Sequence, residues 1–301
     1  MLLTELAEAF RSLRCTAEEQ APMARYTSFK IGGPADLLVT APDAGAAGAA
    51  LALCRRQDLP VLLLGNGTNM LVSDEGVRGV VLRLAGDAAQ DVKVEGDTIL
   101  CPAGLSLKAL CRLARDSGLA GLEFAYGIPG TVGGAVYMNA GAYGGQMADV
   151  LLWADVLCRD GSLRRVPLRE MKLGYRHSVF MEAAAVLVSA AVRLTLDDRA
   201  AVTGRMEEFL RRRREKQPLE YPSAGSFFKR PEGYYAGALI ESSGLKGLTV
   251  GGAQVSEKHA GFLINRGGAT CADVRALAEQ VQEKVLRDHG VRLEPEVRFV
   301  G

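Results

Sequence analysis

The chain opens with MLLTELAEAFRSLRC, in which apolar and charged positions recur at helical spacing, so an amphipathic helix is predicted there. No continuous apolar run of an export signal interrupts that pattern. Ala35 to Thr40 reads as a strand. Pro42 and Asp43 then open an alanine-rich helix to about Gln57, with Asp43 placed to cap its free amides. Val61 to Leu64 is an apolar strand ending at Gly65, and strand, helix and strand together begin a small α/β unit. Further strands are predicted at Val77 to Leu84, Asp91 to Glu95 and Thr98 to Cys101, the last two joined by a Gly96-Asp97 hairpin signal. Ser106 caps a helix to Ser117, and Gly118 lies just past its end.

From Gly118 to Gly145 neither period is sustained, which predicts a long loop region shaped by its backbone. Strands resume at Leu151 to Cys158, Leu163 to Val166 and Ala185 to Leu194, with a turn at Asp160-Gly161 between the first two. A helix follows from about Asp198 to Lys216, and Pro218 and Pro222 mark a boundary. The remainder predicts a helix at Tyr234 to Ser242, a strand at Gly261 to Asn265, and a helix from Ala272 to His289 capped by Thr270 and closed by Gly290. A last strand is predicted at Glu296 to Val300. The organisation is therefore α+β, in three stretches of 1–84, 85–197 and 198–301.

Composition narrows the classes. With 301 residues, 48% hydrophobic and 24% charged, the chain is neither disordered nor fibrous. Lysine and arginine total 36 against 35 acids, a formal charge of +1, so there is no global field for collecting nucleic acid or a membrane surface. No window approaches the ~18 apolar residues of a membrane-spanning helix. Six cysteines show neither CxxC nor a metal-like spacing, which predicts reduced, mostly buried thiols in a cytoplasm, and no metal site. Partners are then expected to be small molecules held by local sites, and a monomer is compatible with all of this.

Two segments are rich in glycine. Gly65, Asn66, Gly67, Thr68 and Asn69 follow an apolar strand; they suit either an anion cradle of converging amides or a tight loop. Gly127-Ile128-Pro129-Gly130-Thr131-Val132-Gly133-Gly134 continues to Gly145, with seven glycines from 127 to 145. Interleaved apolar residues argue against a flexible surface loop there, and a diphosphate or flat ring system lying on the backbone is the economical expectation. Neither segment ends in Gly-Lys-Ser/Thr and neither is GxGxxG, so P-loop and Rossmann phosphate binding are disfavoured. Ser226 lies among small residues with two aromatics after it, outside a GxSxG elbow, which disfavours an acyl-transfer nucleophile; a hydroxyl that gives or relays a proton is an alternative that needs no adjacent base. Taken alone, Arg176 and Glu296 are ordinary strand or surface residues, and Arg211 to Arg214 a solvated helix end, although a sugar diphosphate would suit part of that cluster.

Together these segments resemble the UDP-N-acetylenolpyruvoylglucosamine reductase family, over nearly the whole chain. The matching stretches are TSFKIGGPAD from Thr27, GNGTN, PAGL at 102–105, GIPGTVGGAVYMNAGAYG, Tyr175-Arg176, KQPLEYPSAGSFFKRP at 216–231 and GGAQVSEKHAGFLIN at 251–265. The resemblance implies a two-subdomain FAD-binding fold of the vanillyl-alcohol-oxidase/PCMH type followed by a smaller α+β substrate-binding domain. It also implies NADPH-dependent reduction of UDP-N-acetylglucosamine enolpyruvate to UDP-N-acetylmuramate, for peptidoglycan of the cell wall. Residue by residue, it puts Ser226 at the proton-donor position, with Arg176 and Glu296 at the two positions that stabilise the enolate formed when reduced-flavin N5 delivers hydride. Gly65 to Asn69, Gly127 to Thr131, Gly133, Gly134 and Asn139 fall on cofactor loops, with Ile31, Gly32 and Gly33 close by. Tyr175, Lys216, His259 and Arg298 fall at substrate positions. Arg176 and Ser226 are 50 positions apart with no long tyrosine-bearing insertion, as in the shorter class of the family. His177, His259 and His289 all follow the glycine-rich segments, so FAD is expected to bind non-covalently. Two other readings are an FAD oxidase or dehydrogenase of the same fold with another substrate, and a nucleotide-sugar-binding regulator.

Overall fold

The computed structural model describes residues 2–85, 91–158, 161–182 and 185–301. Two compact units emerge: Met1–Glu19, Leu37–Asn66 and Gly79–Arg213 form the first, and Gln20–Asp36, Gly67–Arg78 and Arg214–Gly301 the second. Both are discontinuous in sequence. Boundaries at 84/85 and 197/198, as the sequence predicts, keep 20–36 and 67–78 with the N-terminal stretch, whereas both fall in the second unit.

The first part of the chain runs α1 (Leu3–Ser12), β1 (Thr16–Pro22), β2 (Pro34–Ala41), α2 (Ala44–Arg56), β3 (Val61–Leu63), β4 (Met70–Val72) and β5 (Val77–Leu84). Four of these strands make a sheet in the order β1-β2-β5-β3, in which β3 runs parallel to β5 with Leu62 opposite Val81. α2 starts where predicted, with the Asp43 carboxylate accepting the Ala46 N–H at 2.8 Å. Leu6, Ala7 and Phe10 of α1, the buried alanines and Leu53 of α2, and Leu37, Val39, Val80 and Leu82 from the sheet form one core.

A second core in the same unit draws on residues 99–206. Its elements are β6 (Lys93–Glu95), β7 (Thr98–Pro102), α3 (Leu107–Asp116), β8 (Leu119–Ala120), α4 (Val132–Tyr137), β9 (Gly141–Ala142), β10 (Gly145–Gln146), β11 (Leu151–Leu157), β12 (Leu163–Pro167), β13 (Val186–Arg193), β14 (Thr195–Leu196) and α5 (Arg199–Lys216). An antiparallel five-stranded sheet has the order β12-β11-β13-β7-β6. Of the predicted turn at Asp160-Gly161, Asp160 lies outside the described residues.

One expectation is corrected here. The stretch 118–145 is not an irregular loop throughout, because it contains α4 and short paired strands. Thr131 caps α4, its hydroxyl accepting the Gly134 N–H at 3.1 Å, and Val132, Ala135 and Val136 are buried. Six residues are too few to display a helical period, and two of them are glycine. β1, TAEEQAP, was missed for a related reason: it alternates no apolar face.

The second unit contains β15 (Ser223–Ser226), α6 (Ala236–Ser242), β16 (Thr249–Val250), β17 (Ala253–Val255), β18 (Phe262–Asn265), α7 (Cys271–His289) and β19 (Arg298–Val300). Its sheet has the order β15-β18-β17-β16, and β19 pairs in parallel with β4, Arg298 opposite Met70. Val274, Leu277, Val281 and Val285, spaced three and four apart on α7, join Phe29, Ile31, Leu71, Phe227, Leu263 and Val297 in one core. α7 has the predicted caps: Thr270 Oγ1 accepts the Asp273 N–H, Asp273 accepts the Thr270 N–H, both at 3.0 Å, and Gly290 takes φ +68°.

Candidate active site

Ser226 and Glu296 are 70 positions apart, yet the second unit puts them on adjoining backbone. Glu296 N–H donates to Phe227 O at 2.8 Å, Lys229 N–H donates to Glu294 O at 2.8 Å, and Phe228 bridges Pro295. The β15–β18 register slips between its two pairs, Ser223 with Ile264 and Ser226 with Phe262, and Gly225 takes φ +80° in the slip. This is a β-bulge, a device that re-aims a side chain out of the strand's alternation. Ala224 and Phe227 are buried on either side, while Ser226 is exposed. Ser28, from the TSFKIGG stretch, holds the strand by donating its hydroxyl to Ser223 O at 2.6 Å.

Glu296 is half-buried and held from a second direction. Asn69 Nδ2 donates to Glu296 O at 3.2 Å and Asn69 O accepts the Arg298 N–H at 3.1 Å. Thus Asn69, read as a cofactor residue, also fixes the backbone that carries Glu296 into β19. Gly67, φ +60°, passes so close to Tyr26 O that a Cβ there would overlap it, and its carbonyl accepts the Ser28 N–H at 3.1 Å. Ile31 and Gly32, also read as near the cofactor, have packing roles: Ile31 is 2% exposed, and a Cβ on Gly32 would lie 2.7 Å from Val72 Cβ. Gly33 N–H donates to Ser73 O at 2.8 Å.

His259 is half-buried. Its Nδ1 accepts the Gly261 N–H at 3.1 Å, which leaves the ring proton on Nε2, and burial pulls its pKa below the usual histidine value. Lys216 and Arg298 are exposed cations.

In the first unit the glycine-rich segment proves to be closely packed. Val132 and Gly133 N–H donate to Leu105 O and Ala103 O, both at 2.8 Å, and a Cβ on Gly133 would stand 2.9 Å from Ala103 Cβ. Those two amides are therefore committed to protein. Among the described residues no backbone acceptor takes the Asn66, Gly130 or Thr131 N–H. Asn66 Nδ2 donates to Pro129 O at 3.1 Å, and a Cβ on Gly65 would lie 2.8 Å from Thr131 Oγ1, so the two glycine-rich stretches abut. Narrow glycine-lined backbone with open amides fits a diphosphate and an adjoining flat ring.

Sequence could not separate Arg211 to Arg214; the structure does. Arg211 and Arg212 are exposed and pair with Glu208, whose carboxyl these guanidinium groups hold down to about 2. Arg213 turns inward instead. Its side chain lies against Gly127, where a Cβ would meet its Cδ at 2.8 Å, and desolvation lowers its pKa. Among the described residues no acid pairs with it. Tyr143, stacked on Phe209 with ring centroids 4.7 Å apart, is its electrostatic neighbour.

Arg176 sits in a two-residue turn closed by Gly174 N–H to His177 O at 3.1 Å and His177 N–H to Gly174 O at 3.2 Å. Its backbone takes φ +52°, the left-handed region. Tyr175 beside it is 57% exposed, with the guanidinium carbon 5.4 Å from the ring centroid. Asn139, read as a cofactor residue, is 2% exposed and its amide is spent on protein groups, including Gly174 O.

Comparison with known proteins gives one answer. Residues 35–167 match the family described as FAD binding domain, and residues 217–300 match the UDP-N-acetylenolpyruvoylglucosamine reductase C-terminal domain. A curated Clostridium botulinum protein of that reductase name is 48% identical over 280 residues, 93% of this chain and 91% of its own. One from Caldanaerobacter subterraneus is 46% identical over 301 residues, spanning 100% and 98%. The crystal structure of the reductase from Thermus caldophilus is 37% identical, with TM-score 0.82 over 96% of this chain and 99% of that one. A Physcomitrella patens BBE-like 1 structure, 11% identical with TM-score 0.50 over 65% of this chain and 45% of its own, shares the fold alone. With similarity of this extent in both sequence and structure, the chain belongs to the UDP-N-acetylenolpyruvoylglucosamine reductase family.

Proposed function

We propose that the protein reduces the enolpyruvyl ether of UDP-N-acetylglucosamine to the D-lactyl ether of UDP-N-acetylmuramate, with FAD held non-covalently and NADPH as hydride donor, in the cytoplasmic stage of peptidoglycan synthesis. The observation that carries this reading is the bulge at Gly225, which exposes Ser226 beside the backbone segment bearing Glu296. FAD, bound and first reduced by NADPH, would supply hydride to the methylene carbon of the enolpyruvyl group.

Hydride addition leaves electron density on the adjacent carbon and its carboxylate, and that charge must be met as it develops. Arg176 offers a two-pronged donor to the carboxylate. Glu296 helps to polarise that carboxylate when it carries a proton to donate. Ser226 then protonates the carbon. A serine hydroxyl is a weak acid in water, but an enolate is basic enough to take its proton, and no histidine partner is required. Tyr175, Lys216, His259 and Arg298 serve the sugar nucleotide, His259 as a neutral Nε2–H donor. Gly65 to Asn69 and Gly127 to Gly134 accommodate FAD, with Arg213 meeting its diphosphate.

The test is anaerobic. Purified holoenzyme is reduced with NADPH, the enolpyruvyl substrate is added, and flavin absorbance is followed. Bleaching followed by recovery is expected, and Ser226→Ala should bleach normally while recovering about 100-fold or more slowly. Bleaching without recovery in the wild type would assign another acceptor, and near-normal recovery in Ser226→Ala would remove the serine from its role.

A further inference from the structure

We propose that Asn139 is a positioning residue for Arg176, with Ser178 as its second anchor; this rests on the catalytic role given to Arg176 above. Arg176 occupies the third position of a four-residue turn, Gly174 to His177, with φ +52°. A β-carbon makes that conformation unfavourable, and turns of this kind usually place glycine or asparagine there. Such a backbone persists only when its surroundings over-determine it, and it is found where a side chain must be aimed.

The surroundings here are specific. Asn139 Nδ2 donates to Gly174 O at 3.0 Å, reinforcing the carbonyl that also closes the turn. Its Nδ2 also donates to Gln146 Oε1 at 3.0 Å, and its Oδ1 accepts the Ala148 N–H at 2.9 Å. Just beyond the turn, Ser178, fully buried, donates its hydroxyl to Tyr137 O at 2.6 Å. Both ends of the Arg176 turn are thereby strapped to residues 137–139, where α4 leaves the glycine-rich segment. Asn139 itself takes φ +42°, which asparagine tolerates better than other side chains. Its amide is saturated and buried, so it acts by holding the turn and not by touching substrate.

The experiment is a double-mutant cycle on holoenzyme, read as the rate of flavin reoxidation by the enolpyruvyl substrate. Asn139→Ala is expected to slow reoxidation at saturating substrate at least tenfold, with the half-saturating concentration changed less than threefold, because an arginine meeting developing charge acts on the rate. Ser178→Ala, which deletes one hydroxyl, should show the same split more mildly and serves if Asn139→Ala folds poorly. In an Arg176→Ala background either change should add less than twofold. Equal losses in both backgrounds, or reoxidation at the wild-type rate, would overturn the proposal. If reduced wild-type enzyme is not reoxidised at all, the functional reading itself fails; if it is reoxidised and the variants do not couple, only the positioning role falls.

Discussion

Substituting alanine for Gly67 isolates what close backbone approach is worth in the GNGTN segment. Gly67 and Gly96 have nearly the same backbone, φ +60° and +62°, but different neighbours: a Cβ on Gly67 would overlap Tyr26 O, whereas one on Gly96 meets nothing within 4 Å. Both alanines bear the left-handed cost of about 1–2 kcal/mol. Only Gly67→Ala must also push backbone away from backbone, which no rotamer change relieves, adding about 1–3 kcal/mol by analogy with overpacked cores. The Gly67 carbonyl that accepts the Ser28 N–H moves with it, and Ser28 in turn holds β15. Thermal unfolding of both variants at one saturating FAD concentration measures the difference, since flavin would otherwise shift the midpoint by mass action. With about 2–4 °C of midpoint per kcal/mol, Gly96→Ala should fall a few degrees and Gly67→Ala about twice as far or more. A Gly67→Ala midpoint equal to that of Gly96→Ala would refute the close-approach argument.

Three further outcomes follow from the site. Glu296→Gln should slow flavin reoxidation by the enolpyruvyl substrate far more than flavin reduction by NADPH, and equal damage to both in stopped-flow traces would point to misfolding instead. Arg213→Met removes a desolvated cation that has no acidic partner among the described residues, so flavin-free protein should be at least as stable in urea while flavin retained on dialysis drops; unchanged retention would dissociate Arg213 from the diphosphate. Burial pushes Cys54 up to about 11 and Cys101 up to about 12, and Cys111 is raised as well. A raised thiol is protonated below its shifted pKa, so these three should ignore a thiol reagent at pH 8 and react only in denaturant; labelling of any of them in native protein would contradict their burial.

Local chemistry made much of this legible in advance. Asp43, Ser106 and Thr270 each accept an amide at the helix start their positions announced, and Gly118 and Gly290 take positive φ just past helix ends. Caps and periods are short-range, so sequence carries them whole. The motifs, read by resemblance, led to the family and to Ser226, Arg176 and Glu296 as the residues to follow. What sequence could not carry was the use to which equivalent residues are put. Four consecutive arginines look alike until helix phase turns Arg213 against Gly127 and leaves Arg211 and Arg212 on Glu208. Glycines 127–134 predicted backbone open to a ligand, yet the Val132 and Gly133 amides are satisfied by Leu105 and Ala103. Asn69 and Asn139 fall on cofactor loops by resemblance, and the structure adds that their side chains reach Glu296 and Gly174, 227 and 35 positions away. Donors of that kind are assigned only when distant strands and turns are brought to hydrogen-bond distance, and tertiary structure alone sets that distance.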